Sequence, residues 1–250
     1  AQVTNVDDLR TNVIDSLTKY SQDVDMNRFG GRFKYSKVLQ LIDRVDTAIT
    51  SNITKVKIRR DMKALINQFA QYELCFGNKF HVNVNGFNIK STGFTIAGES
   101  STVYLTDAPE ITAGGNRVSN TTAASQVFLS RPESVSATKG ILSLVKYDSN
   151  GNRVVVAKEA GTVDYVKGEV LLNTLNITST EKPNNIIEIQ AYPESNDVVG
   201  LKDLYLSFSV PNSSINMVKD VIASGEDISG VSFTRDYYTS SYSNGVLQRK

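Results

Sequence analysis

Apolar residues change their spacing along this chain, and each change predicts a different element. Over residues 5–24, Val6, Leu9, Val13, Leu17, Tyr20 and Val24 recur at steps of three or four, which predicts a helix with one apolar stripe. Asn5 is suited to cap it, and Asp7 and Asp8 sit where the helix dipole favours negative charge. Gly30-Gly31 then breaks the pattern and permits a sharp reversal. From residue 37 to 49, Val38, Leu41, Ile42, Val45 and Ile49 restore helical spacing, with Ser36 as the expected N-cap. Next, Thr54, Val56 and Ile58 alternate with Lys55, Lys57 and Arg59. That reads as a strand with one dry face and one basic face.

Further on, residues 61–71 fit a short helix or a loop. Tyr72, Leu74 and Phe76 alternate as a strand, as do Phe80, Val82 and Val84 before Asn85-Gly86, where a two-residue hairpin turn is expected. Phe87, Ile89, Phe94 and Ile96 continue the alternation. Residues 98–137 are rich in Ser, Thr, Ala, Gly and Asn. They are expected to form a long polar surface excursion with short strands at 103–105 and 127–129. From Gly140 the strand pattern is dense, with turns expected at 148–152 and at Lys167-Gly168, and a strand at 204–210. The expected fold class is α+β, mainly β. A helical hairpin head with the first strand (1–66) joins a β-sandwich-like antiparallel body (67–210), and a C-terminal segment and tail (211–250) follow.

Composition narrows the function. Hydrophobic residues make up 40% and charged residues 21% of the 250, enough apolar material for a packed core. The net charge of +1, from 27 Lys+Arg against 26 Asp+Glu, argues against direct nucleic-acid binding, which calls for a basic excess. Cys75 is the one cysteine, so no internal disulfide forms within the chain, and folding in a reducing cytosol is expected. A buried, inert thiol is the expectation for it. No apolar run reaches the ~20 residues that span a bilayer, and no leader is visible. The chain starts at Ala1 rather than Met, as a processed form or a cut-out fragment would.

Candidate chemistry is sparse. His81 is the one histidine; a zinc site wants several His or Cys ligands, and no nucleophile-elbow sequence accompanies it. Asp148-x-Asn150-x-Asn152, with Glu159 further on, echoes a calcium loop, but Arg153 stands where that loop needs glycine. A hairpin turn is the better reading. The sequons at Asn52, Asn120, Asn176 and Asn212 mean little without secretion. No catalytic, cofactor-binding or metal-binding residue is therefore expected, and no enzymatic activity. The residue types of interface hot spots do occur. Arg28, Phe29, Arg32 and Phe33 crowd one turn, although the two Phe rings suit packing under the helices equally well. Lys55, Lys57 and Arg59 form a basic half-strand, which a solvated face also explains. Tyr237, Tyr238 and Tyr242 lie among small polar residues near the C-terminus.

The first helix, the segment FGGRFKYSKVLQLIDRVD, the strand TKVKIRR, and the later GTVDYVKGEVLLNTLNIT and DLYLSFSVPNSSINMV resemble the C-terminal portion of wedge subunits in the baseplate J-like family of T-even-type contractile-tailed bacteriophages. The resemblance implies a structural subunit of the virion tail baseplate, assembled in the host cytoplasm. It implies a homodimer or a higher ring through self-contacts, bound to other baseplate wedge proteins and rearranging during tail contraction and genome ejection. It implies no small-molecule substrate, no cofactor and no membrane span. The β-rich body and the polar excursion admit another reading, a receptor- or glycan-binding module of a tail fibre or adhesin. The lack of Trp, the usual ring for stacking on sugars, counts against it.

Overall fold

A computed structural model describes residues 5–24, 26–113, 116–119, 135–218, 241–243 and 246–248. By its contacts the chain divides into two compact units, Ala1–Ser213 and Ser214–Lys250.

In the first unit, α1 spans Val6–Ser21, and the Asn5 side chain accepts from the Asp7 N–H at 3.2 Å. Val13, Leu17 and Tyr20 are its buried stripe. The helix ends before Val24, which lies exposed, because the Gln22 N–H turns back onto the Lys19 and Tyr20 carbonyls. Helix α2 spans Tyr35–Asp43 and lies against α1. Both of its expected limits shift. Lys34 occupies the cap position with an extended backbone and no side-chain cap, so Ser36 is already helical. The far end stops short of Ile49 because the Asp46 carboxylate takes the Ala48 N–H at 2.8 Å, a local bond that competes with the helix.

The strands are β1 (Arg32–Phe33), β2 (Ile58–Lys63), β3 (Phe69–Cys75), β4 (Lys90–Ser91), β5 (Phe94–Ile96), β6 (Glu99–Ala113), β7 (Asn116–Ser119), β8 (Val135–Tyr147), β9 (Arg153–Asp164), β10 (Glu169–Thr180), β11 (Ile186–Ala191) and β12 (Val198–Val199). The fold is thus mainly β with few helices. Strand β1 pairs antiparallel with β12, which ties the N-terminal region to residues 198–199. The remaining strands form one antiparallel sheet in the order β2-β11-β4-β6-β5-β10-β9-β8, with β3 added on β10 and β7 on β6. Because β6 also pairs with β8, the strands β6-β5-β10-β9-β8 close a hydrogen-bonded circuit. The body is one continuous bent sheet rather than two separate ones. The second unit contains β13 (Ser241–Ser243) paired antiparallel with β14 (Val246–Gln248).

One hydrophobic cluster fills the body, drawing Phe94, Val103, Leu105, Leu142, Leu144, Val170, Leu172 and Ile177 from the circuit and Ile187 and Ile189 from β11. Each such side chain stabilises by about 1.5–3 kcal/mol when withdrawn from water. Two turns hold register. At 148–152 the Gly151 N–H reaches the Asp148 carbonyl at 3.0 Å. At the β9–β10 hairpin Gly168 adopts φ +69°, and a Cβ there would lie 2.0 Å from the Asn78 carbonyl oxygen.

Several expectations are corrected. Residues 99–113 are not a surface excursion: β6 is a fifteen-residue inner strand, buried on both faces from Leu105 to Pro109. Its Thr, Val, Tyr and Ile residues favour a strand and outweigh the two serines at its start. The expected strand at 127–129 lies outside the described residues. Residues 61–63 belong to β2 instead of a helix or loop, since Met62 turns into the core. The turn at Asn85-Gly86 exists, with the Gly86 N–H on the Asn83 carbonyl at 2.8 Å, but its flanks do not pair with each other. Phe80 bridges Pro193, and the Phe87 N–H goes to the Asp107 carbonyl at 2.9 Å. Residues 204–210 alternate between half-buried and exposed yet form no ladder beyond a single Phe29–Tyr205 bridge. Cys75 is half-buried rather than buried.

Candidate interaction surface

The turn before α2 splits its aromatic residues between inside and outside. Phe33, on β1, is buried and packs in a three-ring cluster, 6.1 Å from Tyr20 and 5.6 Å from Phe208. Tyr20 also approaches Phe208 at 6.1 Å. Phe33 is therefore a core residue and presents no ring to a partner. Phe29 points out, 66% exposed, and meets Tyr205, 58% exposed, edge-on at 6.0 Å. Arg28 and Arg32 are exposed beside it. Two adjoining exposed rings flanked by arginines have the composition of an interface anchor.

The basic stretch follows the expected alternation. Residues 51–57 form no ladder, with Thr54 and Val56 half-buried and Lys55 and Lys57 exposed. Its charge is partly committed within the molecule. Arg59 sits 3.1 Å from Asp61 and 3.2 Å from Glu188, and Lys57 Nζ lies 5.3 Å above the Tyr192 ring. Of the C-terminal tyrosines, Tyr242 is in β13 opposite Leu247; Tyr237 and Tyr238 lie outside the described residues.

The chemistry-bearing side chains serve the fold. His81 is exposed and tied in through its backbone: its N–H donates to the Tyr192 carbonyl at 3.0 Å, and its carbonyl accepts from Asn88 Nδ2 at 2.5 Å. Asp148 Oδ1 accepts the N–H groups of Asn150 at 2.9 Å and Asn152 at 2.7 Å. The Asn152 N–H foremost holds its carboxyl below the ordinary range. Those oxygens are committed to the turn. Among the described residues no three His, Cys, Asp or Glu side chains are grouped to hold a metal ion. A shallow depression of about 180 Å³ is lined by Glu73, Asp164, Glu169, Thr162 and Leu171. There Asp164 Oδ1 accepts the N–H groups of Val166 and Lys167 and so closes the β9–β10 turn.

No periodicity or motif marks the buried pair Asp107 and Tyr165. Asp107, on β6, is 1% exposed; its Oδ1 accepts the Ile89 N–H at 2.7 Å and its Oδ2 accepts the Tyr165 hydroxyl at 2.8 Å. Burial pushes the Asp107 carboxyl up, while these hydrogen bonds pull the other way. Burial and the neighbouring carboxylate push the Tyr165 hydroxyl up as well. The two residues are 58 positions apart, so only the β6–β8–β9 pairing brings them together.

A family model described as baseplate structural protein gp6, C-terminal domain III, matches residues 2–61, about a quarter of the chain. No curated protein matches the chain. The matched segment contains α1, β1, α2, the exposed Phe29 turn and the Lys55–Lys57 stretch, and it ends inside β2. The match supports a phage baseplate structural protein, a place in the virion tail baseplate and contact with other baseplate proteins. Among the described residues no helix is long and apolar enough to cross a membrane. The polar stretch that admitted a glycan-binding reading is, over 99–113, an inner strand.

Proposed function

We propose that this chain is a structural subunit of the tail baseplate wedge, of the baseplate J-like kind, that transforms no substrate. It associates with a second copy of itself and with other wedge proteins, in a ring that rearranges as the tail contracts and the genome is ejected. The observation that carries the reading is the match over residues 2–61. Within that segment the exposed Phe29 ring, with Arg28 and Arg32 beside it, supplies residue types that anchor protein contacts. The near-zero net charge leaves little self-repulsion to oppose assembly.

Sedimentation of the chain alone and mixed with other wedge proteins tests this. The expected result is concentration-dependent self-association and co-sedimentation, both weakened by Phe29→Ser with the far-UV spectrum unchanged. A strict monomer that binds none of the wedge proteins overturns the reading, and reproducible hits on a glycan array would point to the fibre module instead.

A further inference from the structure

We infer that a cleft formed by β4, β6, β8 and β9 is a carboxylate-binding site, and that its occupant is an Asp or Glu side chain of a neighbouring polypeptide. The inference about the occupant rests on the assembly role proposed above; the carboxylate site itself does not.

Four strands converge on it. Along β6, Val103 and Leu105 face the hydrophobic cluster, so Tyr104 and Thr106 face the other way. Lys90 on β4 is paired with Thr106 in register. Tyr104 pairs with Val145 on β8, and Tyr147 on β8 pairs with Arg153 on β9. These side chains, with Phe87, line a cleft of about 160 Å³. That is room for a carboxylate and its methylene stem, at about 30 Å³ per displaced water.

Its chemistry is one-sided. Lys90 and Arg153 are its two charged residues, no acidic side chain lines it, and neither cation forms an ion pair among the described residues. Arg153 is oriented rather than loose. Its guanidinium lies 3.5 Å over the Phe87 ring, which covers one face and leaves the N–H edge to a ligand. That edge matches the two oxygens of a carboxylate. Phe87 holds its ring there with φ +67°, a conformation that an aromatic residue adopts only when its surroundings enforce it. Here the Phe87 N–H bond to the Asp107 carbonyl supplies the constraint. In the floor, Thr106 is 6% exposed and its hydroxyl has no hydrogen-bond partner, an uncommon state for a buried polar group. Tyr104 and Tyr147, edge-on at 5.5 Å, form an aromatic wall for the stem. A phosphate or nucleic-acid backbone fits less well, because a net charge of +1 gives little general attraction for a polyanion.

The test is a titration of the isotope-labelled full chain, followed by the backbone amide of Thr106 and the Nε–Hε of Arg153. The probes are acetate, N-acetylglutamate amide, N-acetylglutamine amide and inorganic phosphate at constant ionic strength. Saturable shifts are expected with the first two and none with the glutamine compound. Lys90→Gln and Arg153→Gln should each weaken binding about fivefold, as expected for loss of one partly solvated charge contact. Thr106→Val should keep the fold, since a methyl replaces an unpaired hydroxyl, and still weaken binding. Shifts that never saturate, equal response to the glutamine compound, tighter binding of phosphate, or variants that bind as wild type overturn the site. In a second arm, Arg153→Gln is sedimented with the other wedge proteins. Weakened assembly supports the polypeptide occupant. Unchanged assembly overturns that occupant and leaves the structural role standing, so the two failures are told apart.

Discussion

Removing the Asp107 side chain should cost about twice what removing its charge costs. Asp107→Ala leaves the Ile89 N–H and the Tyr165 hydroxyl without their acceptors, and both are buried. At about 1–3 kcal/mol for each orphaned donor, the predicted loss is about 2–6 kcal/mol. Tyr165→Phe removes a single donor to the carboxyl, for about 1.5–3 kcal/mol. Asp107→Asn is different: its oxygen still accepts from Ile89, and its amide can donate to the Tyr165 oxygen, so only the Tyr165 O–H proton is left without an acceptor and the loss should be about 1–3 kcal/mol. The pH dependence has a definite sign. Because burial raises the Asp107 carboxyl, the folded chain holds that proton more tightly than the unfolded chain. Its contribution is complete below the unfolded carboxylate range, about pH 4, and is lost as pH rises through the raised value. The asparagine variant should therefore gain on the wild type as pH rises. Urea unfolding followed by far-UV circular dichroism and tyrosine emission measures this directly, since the chain has 11 Tyr and no Trp. An alanine variant that loses under about 1 kcal/mol, or a wild type that gains on the asparagine variant with rising pH, would refute the reasoning.

Two further perturbations probe other parts of the sheet. Glu99 is held at a pKa of about 2, chiefly by Lys146 Nζ at 2.8 Å and by the Ser101 N–H; its contribution is present above the unfolded Glu range and lost as pH falls towards that value. Glu99→Gln should flatten this acid-side decline in the urea midpoint, and an unaltered decline would count against the pairing. Gly168→Ala combines φ +69° with a Cβ placed 2.0 Å from the Asn78 carbonyl oxygen, so it should lower stability by more than about 1 kcal/mol, and an unchanged Tm would show that the β9–β10 turn tolerates a side chain.

What was legible in the chain was burial, and what was not was pairing. The stripe Val13, Leu17, Tyr20 and the alternation Thr54, Val56, Ile58 both appear in the structure as read. Periodicity reports which side of a segment is dry and says nothing of whether its backbone bonds to a neighbour. So residues 54–57 and 204–210 alternate without a ladder, and β2 starts only at Ile58. Helix limits failed for a local reason: Asp46 bonds its own backbone, which outweighs the apolar spacing that continues to Ile49. Over 99–113 polar composition does not mean exposure, since residues 105–109 are all buried. Thr106 and Asp107 are buried because strands from three other parts of the chain cover them. Asp107 is tolerated there because Tyr165 and Ile89 hydrogen-bond it. The Lys90, Thr106 and Arg153 cleft was unreadable for the same reason, since each residue comes from a different strand.

Closure of the sheet bears on how the proposed contacts are made. A strand circuit leaves few open edges, and open edges are where a foreign strand would add. Strand β2 lies at one end of the order, and its exposed positions are Arg59, Asp61 and Lys63. Charged side chains on an edge strand disfavour addition of another strand. Association of this chain should therefore run through side chains presented by rigid elements, with the Phe29–Tyr205 rings and the Lys90–Arg153 cleft as its two chemically distinct offers. The first is centred on apolar rings, with Arg28 and Arg32 at its rim, so salt screens only its periphery; the second is ionic throughout and screened over about 8–10 Å at moderate salt. Raising ionic strength should separate them by degree, weakening contacts that pass through the cleft more than those that pass through the rings.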